Sequence, residues 1–343
     1  MSQRKQRRSA PTILEVARHV GVSPTTVSRV LNNYPHIRED VRNSVLQAIA
    51  DLGYEPNRVA QRLRATHSRL LGMIVTDITN PFLNTIMASI EAVFFSKGFS
   101  VLMSNTTADP RKELEYLSMM ENEGVAGLII APTSENVDRV AELAEDGLPV
   151  VVIDRRMTSG RVDVVLSDNV MGARQAVEHL ISLGHQRIGH IGGPLHLTSG
   201  RERYQGYQAA MHDAGIDVPP DWVRFGDHRH DSGYQNALEL LAVTPNLTAL
   251  FIENNMMTLG AMNAIHDRGM RVPDEIAIVG FDDMPWYKSL NPPLTVIAQQ
   301  THEIGVVAAS RLLERIDQPN LPARADVLPT SLIVRASSGA GRR

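Results

Sequence analysis

The chain has 343 residues, 43% of them hydrophobic and 21% charged, a mix that excludes global disorder and suits two or three domains at ~100–200 residues each. It has no cysteine, so disulfides, thiolate metal sites and cysteine nucleophiles are excluded, and no apolar run approaches the ~18 residues that a membrane span needs. The formal net charge of −4 divides unevenly: residues 1–64 hold 11 Lys and Arg against 5 Asp and Glu, the remainder 23 against 33, so a basic head precedes an acidic body.

Residues 1–10 read as a basic tail. No apolar stretch follows them, so they do not form a secretory signal, and a cytoplasmic protein is expected. Thr12-Ile13-Leu14-Glu15 has the capping-box spacing, with Thr at the N-cap and Glu three residues on. It predicts a short helix to about Val20, ended by Gly21 in the left-handed conformation. Ser23-Pro24 restarts a helix as N-cap and first residue, and Val27, Val30 and Leu31 form its apolar stripe. Two short helices around a glycine turn make a helix-turn-helix. A third helix, about Glu39 to Leu52, turns Val41, Val45, Ile49 and Leu52 inward.

The polar face of the second helix is Thr25, Thr26, Ser28, Arg29 and Asn32. Hydroxyls and an amide bond phosphates or base edges, and an arginine grips guanine through O6 and N7. The plainer reading is a solvated helix. Residues 58–64 carry three arginines yet expose Val59, Ala60 and Leu63. As a linker this apolar content lacks a purpose. As a segment that folds on DNA it has one: the arginines neutralise phosphate and Leu63 wedges between base pairs from the minor groove.

Strand-like runs then alternate with amphipathic helices. The strands fall at 71–76, 100–104, 126–131, 149–153, 162–166, 187–191, 223–225, 249–252, 276–280 and 295–298; helices between them include 83–97, 111–123, 170–183, 201–214, 233–241, 257–267 and 302–316. This predicts an α/β body of parallel sheets covered on both faces, better divided into two doubly wound lobes than closed into an eightfold barrel. Ligands of such sheets sit at the strands' carboxyl ends. Those ends carry Asp77, Asn80 and Phe82; Asp154 and Arg155; Ser199 and Arg203; His228; Asn254; Phe281 and Asp282; and Gln299. Carboxylates, amides and arginines beside an aromatic ring suit a polyhydroxylated ligand, whose hydroxyls both donate and accept.

The ordered residues Val16-Ala17, Gly21-Val22-Ser23, Thr26-Val27-Ser28-Arg29-Val30-Leu31-Asn32, Leu52-Gly53-Tyr54 and Pro56-Asn57 resemble the lactose/galactose-repressor family of bacterial regulators. Asn80-Pro81-Phe82, Gly280-Phe281-Asp282-Asp283 and Pro293-Leu294-Thr295 continue the likeness, which spans Pro11 to Ser337. The resemblance implies a DNA-binding domain (11–56), a hinge segment (57–68) and a two-lobed effector-binding and dimerisation core (69–338), followed by a tail (339–343). The core would be similar to periplasmic sugar-binding proteins. Lobe one would take about 69–166 and 299–326, lobe two about 167–298 and 327–338.

The resemblance further implies a homodimer on double-stranded, palindromic operator DNA, most simply as a repressor, controlled by a small sugar-like effector. Pro24, Thr25 and Arg29 would face bases. Ser23, Thr26, Ser28, Asn32 and His36 would contact backbone or base, Thr12, Asn57, Arg58 and Ala60 would complete the DNA-facing set, and Leu63 would be the intercalating leucine. Pro24 offers only methylenes, which suit a thymine methyl. Leu83 and His228 stand where relatives often place stacking aromatics, and Leu197 where some have a polar ligand contact. No catalytic or metal-binding constellation is read and no cofactor is implied; His228-Arg229-His230 has i, i+2 spacing without a third ligand. The rival readings are a sugar-uptake receptor, which would need a signal in place of a basic head, and a sugar-modifying enzyme.

Overall fold

The computed structural model describes residues 11–31, 34, 36–54, 68–157 and 160–339. These fall into two compact units that divide after Ser68. Among the described residues no helix is long and apolar enough to cross a membrane.

The first unit holds α1 (Ile13–Val20), α2 (Pro24–Leu31) and α3 (Glu39–Leu52). The expected capping box is present: the Glu15 carboxylate accepts from Thr12 N at 2.6 Å while Thr12 Oγ1 accepts from Glu15 N at 3.4 Å. Gly21 ends α1 at φ 73°, where a side chain would be strained, and its N–H returns to Ala17 O. Ser23 Oγ accepts from Thr26 N at 3.1 Å and so starts α2. The three apolar stripes meet in a core of Val16, Ala17, Val27, Val30, Val45 and Ala48, with Val41, Ile49 and Leu52 packed at its edge.

The second unit contains two six-stranded sheets. The first sheet uses β1 (Leu70–Val75), β2 (Ser100–Asn105), β3 (Leu128–Ile130), β4 (Val150–Ile153), β5 (Asp163–Ser167) and β11 (Ala325–Leu328), in the order β11-β5-β4-β3-β1-β2 and parallel throughout. The second uses β6 (Ile188–Gly192), β7 (Val223–Phe225), β8 (Ala249–Ile252), β9 (Ala277–Phe281), β10 (Thr295–Ala298) and β12 (Ser331–Ile333), in the order β12-β10-β9-β8-β6-β7, antiparallel only where β12 meets β10. The helices are α4 (Pro81–Ser96), α5 (Pro110–Asn122), α6 (Val137–Glu145), α7 (Asn169–Ser182), α8 (Thr198–Asp213), α9 (His230–Val243), α10 (Asn255–Asp267) and α11 (Thr301–Asp317).

Two doubly wound α/β lobes follow, and the chain passes between them after β5, after β10 and after β11. β11 lies in the first sheet through Leu328, pairing with β5 to Ser167. This corrects the expected division at 326: residues 327 and 328 stay with the first lobe. Neither β11 nor β12 stands out in the sequence, because both are edge strands whose residues are only half-buried or exposed, and edge strands need no continuous apolar run. A buried ion pair anchors the second crossing: Arg315 on α11 donates twice to Asp163 on β5, at 3.0 and 2.8 Å, with both side chains almost fully enclosed.

Candidate functional site

On the first unit, Ser23, Pro24, Thr25 and Arg29 are exposed, and Thr26 and Ser28 are half-buried. The hydroxyls of Ser23 and Thr26 lie 2.9 Å apart. The Arg29 guanidinium lies 5.4 Å from the centre of the Tyr34 ring. Tyr34 is held in turn, its N–H donating to Arg29 O at 3.0 Å and its carbonyl accepting from Arg42 at 2.9 Å. Sequence reasoning missed this support for Arg29, since Tyr34 lies past the helix end in no periodic pattern. His36 is exposed, and Thr12 is exposed with its polar groups engaged in the capping box. Asn32, Asn57, Arg58, Ala60 and Leu63 lie outside the described residues.

In the second unit the carboxyl ends of the two sheets face a cavity of about 910 Å³. The first lobe contributes Asp77, Asn80, Phe82, Asp154 and Arg155; the second contributes Ser199, Arg203, His228, Asn254 and Asp282; Gln299 stands at a crossing between them. Phe281 does not line this cavity, a correction to the sequence reading. It ends β9 fully buried, and Arg203 lies over its ring at 3.9 Å, so it supports the arginine from behind. Its ring packs instead into the apolar core beside α7 and α8, with Ala173, Tyr207 and Met211. Thr133, Glu135, His196, Arg229 and Asp231 also line the cavity, and only their place in loops after strands or at the start of a helix marks them in the sequence.

Local structure fixes the side chains tightly. Asp77 Oδ1 accepts from Thr79 N at 2.8 Å and from its hydroxyl at 2.6 Å, turning the chain into α4, where Asn80 Oδ1 accepts from Phe82 N at 3.0 Å. Asn80 is also met across the cleft by Asn255 Nδ2 at 2.8 Å. Arg155 bridges the lobes, bonded to the Asp154 carboxylate on its own side and to Ser199 Oγ at 3.0 Å on the other. Arg203 donates to Asn169 Oδ1 at 2.8 Å and to Glu253 O at 2.6 Å. Asp282 accepts from Gln299 at 2.5 Å and from Asn255 N at 3.4 Å. Asp154, His228 and Asp282 all have positive φ (59°, 67° and 74°). Such backbone costs about 1–3 kcal/mol for each non-glycine residue and is concentrated at functional sites. Asn254 locks His228 by donating to its carbonyl at 2.9 Å, and a Cβ on Gly193 would overlap the imidazole Nε2.

Burial pushes the Asp282 carboxyl upward, against the pull of Arg203, Gln299 and the Asn255 N–H. Burial also holds His228 well below the usual imidazole range, helped by Arg155, Arg203 and His196, so it is neutral near pH 7. Arg155 Nε, His228 Nε2 and Gln299 Oε1 are buried without a hydrogen-bond partner among the described residues. Polar atoms so placed are normally satisfied by something. Three arginines line the cavity (Arg155, Arg203, Arg229) against six carboxylates (Asp77, Glu135, Asp154, Asp227, Asp231, Asp282), which disfavours an anionic occupant.

Behind the cavity, Glu253 is fully buried, accepts from Gly193 N, and lies 3.9 Å from the buried His190. Burial raises Glu253 to about 8 and lowers His190 to about 3. An acid that keeps its proton longer when folded loses stability as pH climbs from its unfolded to its folded pKa; His190, depressed, acts below its ordinary value of 6.5. Between pH 7 and 8 the Glu253 contribution therefore stands alone of the two, and stability should fall by about 1 kcal/mol. Urea midpoints at the two pH values measure it. Glu253→Gln keeps an acceptor for Gly193 N and should flatten the change; an equal fall in the variant contradicts the assignment.

Residues 12–57 match the family model described as bacterial regulatory proteins, lacI family, and residues 177–338 match a periplasmic binding protein-like domain. The chain is similar to the HTH-type transcriptional repressor PurR of Haemophilus influenzae strain PittEE, with 36% identity over 331 residues, 95% of this chain and 98% of that one. It is also similar to the lac repressor dimer bound to operator and the anti-inducer ONPF, with TM-score 0.86 and 31% identity over 96% of this chain and 99% of that one. A LacI family transcriptional regulator from Enterococcus faecium with bound ribose aligns with TM-score 0.71 and 31% identity, covering 78% of this chain and 98% of that one.

Proposed function

The chain belongs to the lacI family of bacterial regulatory proteins and is a DNA-binding transcriptional regulator, and we propose that it represses from a palindromic operator as a homodimer whose grip is set by a small neutral sugar in the interlobe cleft. Pro24, Thr25 and Arg29 read bases from α2; Ser23, Thr26, Ser28, Asn32 and His36 hold the backbone or neighbouring bases; Thr12, Asn57, Arg58 and Ala60 extend the contact, and Leu63 wedges the central step. The protein works in the cytoplasm, on the nucleoid's DNA.

One observation carries the choice of ligand: donors and acceptors converge on the cleft from both lobes, some of them unpaired, with few stacking rings and an excess of carboxylates. A polyol satisfies such a lining, because each hydroxyl both donates and accepts. The ribose-bound relative supports this reading. The name of the PurR relative favours a purine instead. A planar base is best held between two aromatic faces, and the only Phe, Tyr or Trp side chain among the described residues lining the cleft is Phe82, itself buried, with Leu83 beside it. Calorimetry with pentoses, hexoses and purine bases separates the two. A sugar should bind and the bases should not; binding of a purine alone would replace the sugar reading.

Arg29→Ala should weaken operator binding by about 1–3 kcal/mol and relax preference at one base position per half-site. Binding-site selection with both proteins checks it. An equal loss on operator and random DNA would make Arg29 a phosphate contact.

A further inference from the structure

We propose that Arg156 and Glu202 are positioning residues that set Arg203 through Asn169, so that the cleft's hold on its ligand depends on contact between the lobes; the link to ligand rests on the cleft reading above. Arg156 follows β4 in the first lobe, whereas Asn169, Glu202 and Arg203 belong to the second. Arg156 Nε donates to Glu202 Oε1 at 2.9 Å, and Arg156 N donates to Thr198 Oγ1 at 2.9 Å. Glu202 Oε2 accepts from Asn169 Nδ2 at 3.1 Å, and Asn169 Oδ1 accepts from Arg203 Nε at 2.8 Å. Asn169 and Arg203 are buried, and the Glu202 side chain is only 14% exposed.

The order of groups permits one arrangement. A carboxylate only accepts and a guanidinium only donates, so the amide between them must turn its nitrogen to Glu202 and its oxygen to Arg203. Glu202 and Arg203 are neighbours on α8 and point about 100° apart, one toward the first lobe and one toward the cavity; Asn169, the first residue of α7, spans both. Separating the lobes removes Arg156 from Glu202, and the carboxylate that holds the Asn169 amide loses the partner that fixes it.

The test measures exchange of the Arg203 Nε–H in the full-length protein without ligand, by nitrogen-15 spectroscopy, with Arg203→Lys to assign the signal. The Arg315 Nε–H, equally buried and bonded to Asp163 at 3.0 Å, is the internal reference because the relay does not touch it. Glu202→Ala should speed Arg203 exchange roughly tenfold and Arg156→Ala about three- to fivefold, the size of one partly exposed ion pair. Arg156→Lys should stay near wild type, and Arg315 should not change. Unchanged Arg203 exchange in both alanine variants overturns the proposal, as does a parallel loosening of Arg315, which marks general destabilisation. With D-ribose as calorimetric probe, Arg156→Ala should bind about three- to fivefold more weakly, and unaltered affinity would overturn the link to ligand. Failure of the wild-type protein to bind D-ribose or any other sugar contradicts the cleft reading instead, and the exchange result then still decides the relay.

Discussion

Asp282→Ala is expected to weaken sugar binding by about 1.5–3 kcal/mol, the range for hydrogen bonds to a charged group, and to leave operator affinity without ligand unchanged. Asp282 is 3% exposed and held at φ 74° with Gln299 and Asn255 N as its donors. Its remaining acceptor capacity faces the cavity, and its removal also leaves Gln299 Nε2 without a partner. The loss should be larger than Asp282→Asn produces, since asparagine keeps one oxygen. Calorimetry with the best-binding sugar measures the first effect and anisotropy with operator the second. Normal sugar binding would mean that the ligand lies elsewhere; loss of operator binding in the ligand-free protein would make the residue structural.

Arg315→Met should destabilise the second unit by about 3–5 kcal/mol, because it strands a buried carboxylate. Asp163 is fully buried; without Arg315 it keeps Arg324 N at 2.8 Å and the Arg324 guanidinium at 3.5 Å. The desolvation of Asp163 is then only partly compensated, by one N–H and a longer contact to the half-buried Arg324. The double variant Arg315→Met, Asp163→Leu should recover most of the loss, since an apolar pair avoids the desolvation of either ion. Urea unfolding of the three proteins decides. A single variant within about 1 kcal/mol of wild type would show that water or Arg324 repairs the site, against the usual cost of an unpaired buried charge.

The head was legible because its signals are local: Thr12 and Glu15 announce one helix, Ser23 and Pro24 the next, and each cap is present. Ten strands were legible: eight are central in their sheets and so are continuous apolar runs, while β2 and β7 are edge strands, read instead from their place between two helices. β11 and β12 were not, since their edge positions leave Val327 at 46% exposed and require no such run. The cleft was legible as a set of strand ends, which the fold rule selects without knowing the geometry. Side-chain burial was not, so Phe281 was grouped with Asp282 although its ring packs into the apolar core. Asn169, Glu202 and Arg156 were missed as partners of Arg203 for another reason. Their meeting depends on two lobes and on two helices, whose residues Asn169 and Arg203 lie 34 apart in sequence, which no local pattern encodes.

The most direct test of the account is operator affinity measured by anisotropy, on a duplex selected from random DNA, with and without each cleft-binding sugar. Coupling between two sites of this kind is typically 1–3 kcal/mol, about 5–150-fold. The prediction is that one dimer binds a two-fold symmetric site, that affinity falls steeply with salt, and that a sugar bound in the cleft shifts it within that range, an effect lost in Asp282→Ala. A sugar that binds the cleft and leaves operator affinity unchanged, or a protein that binds selected and random DNA alike, would contradict it.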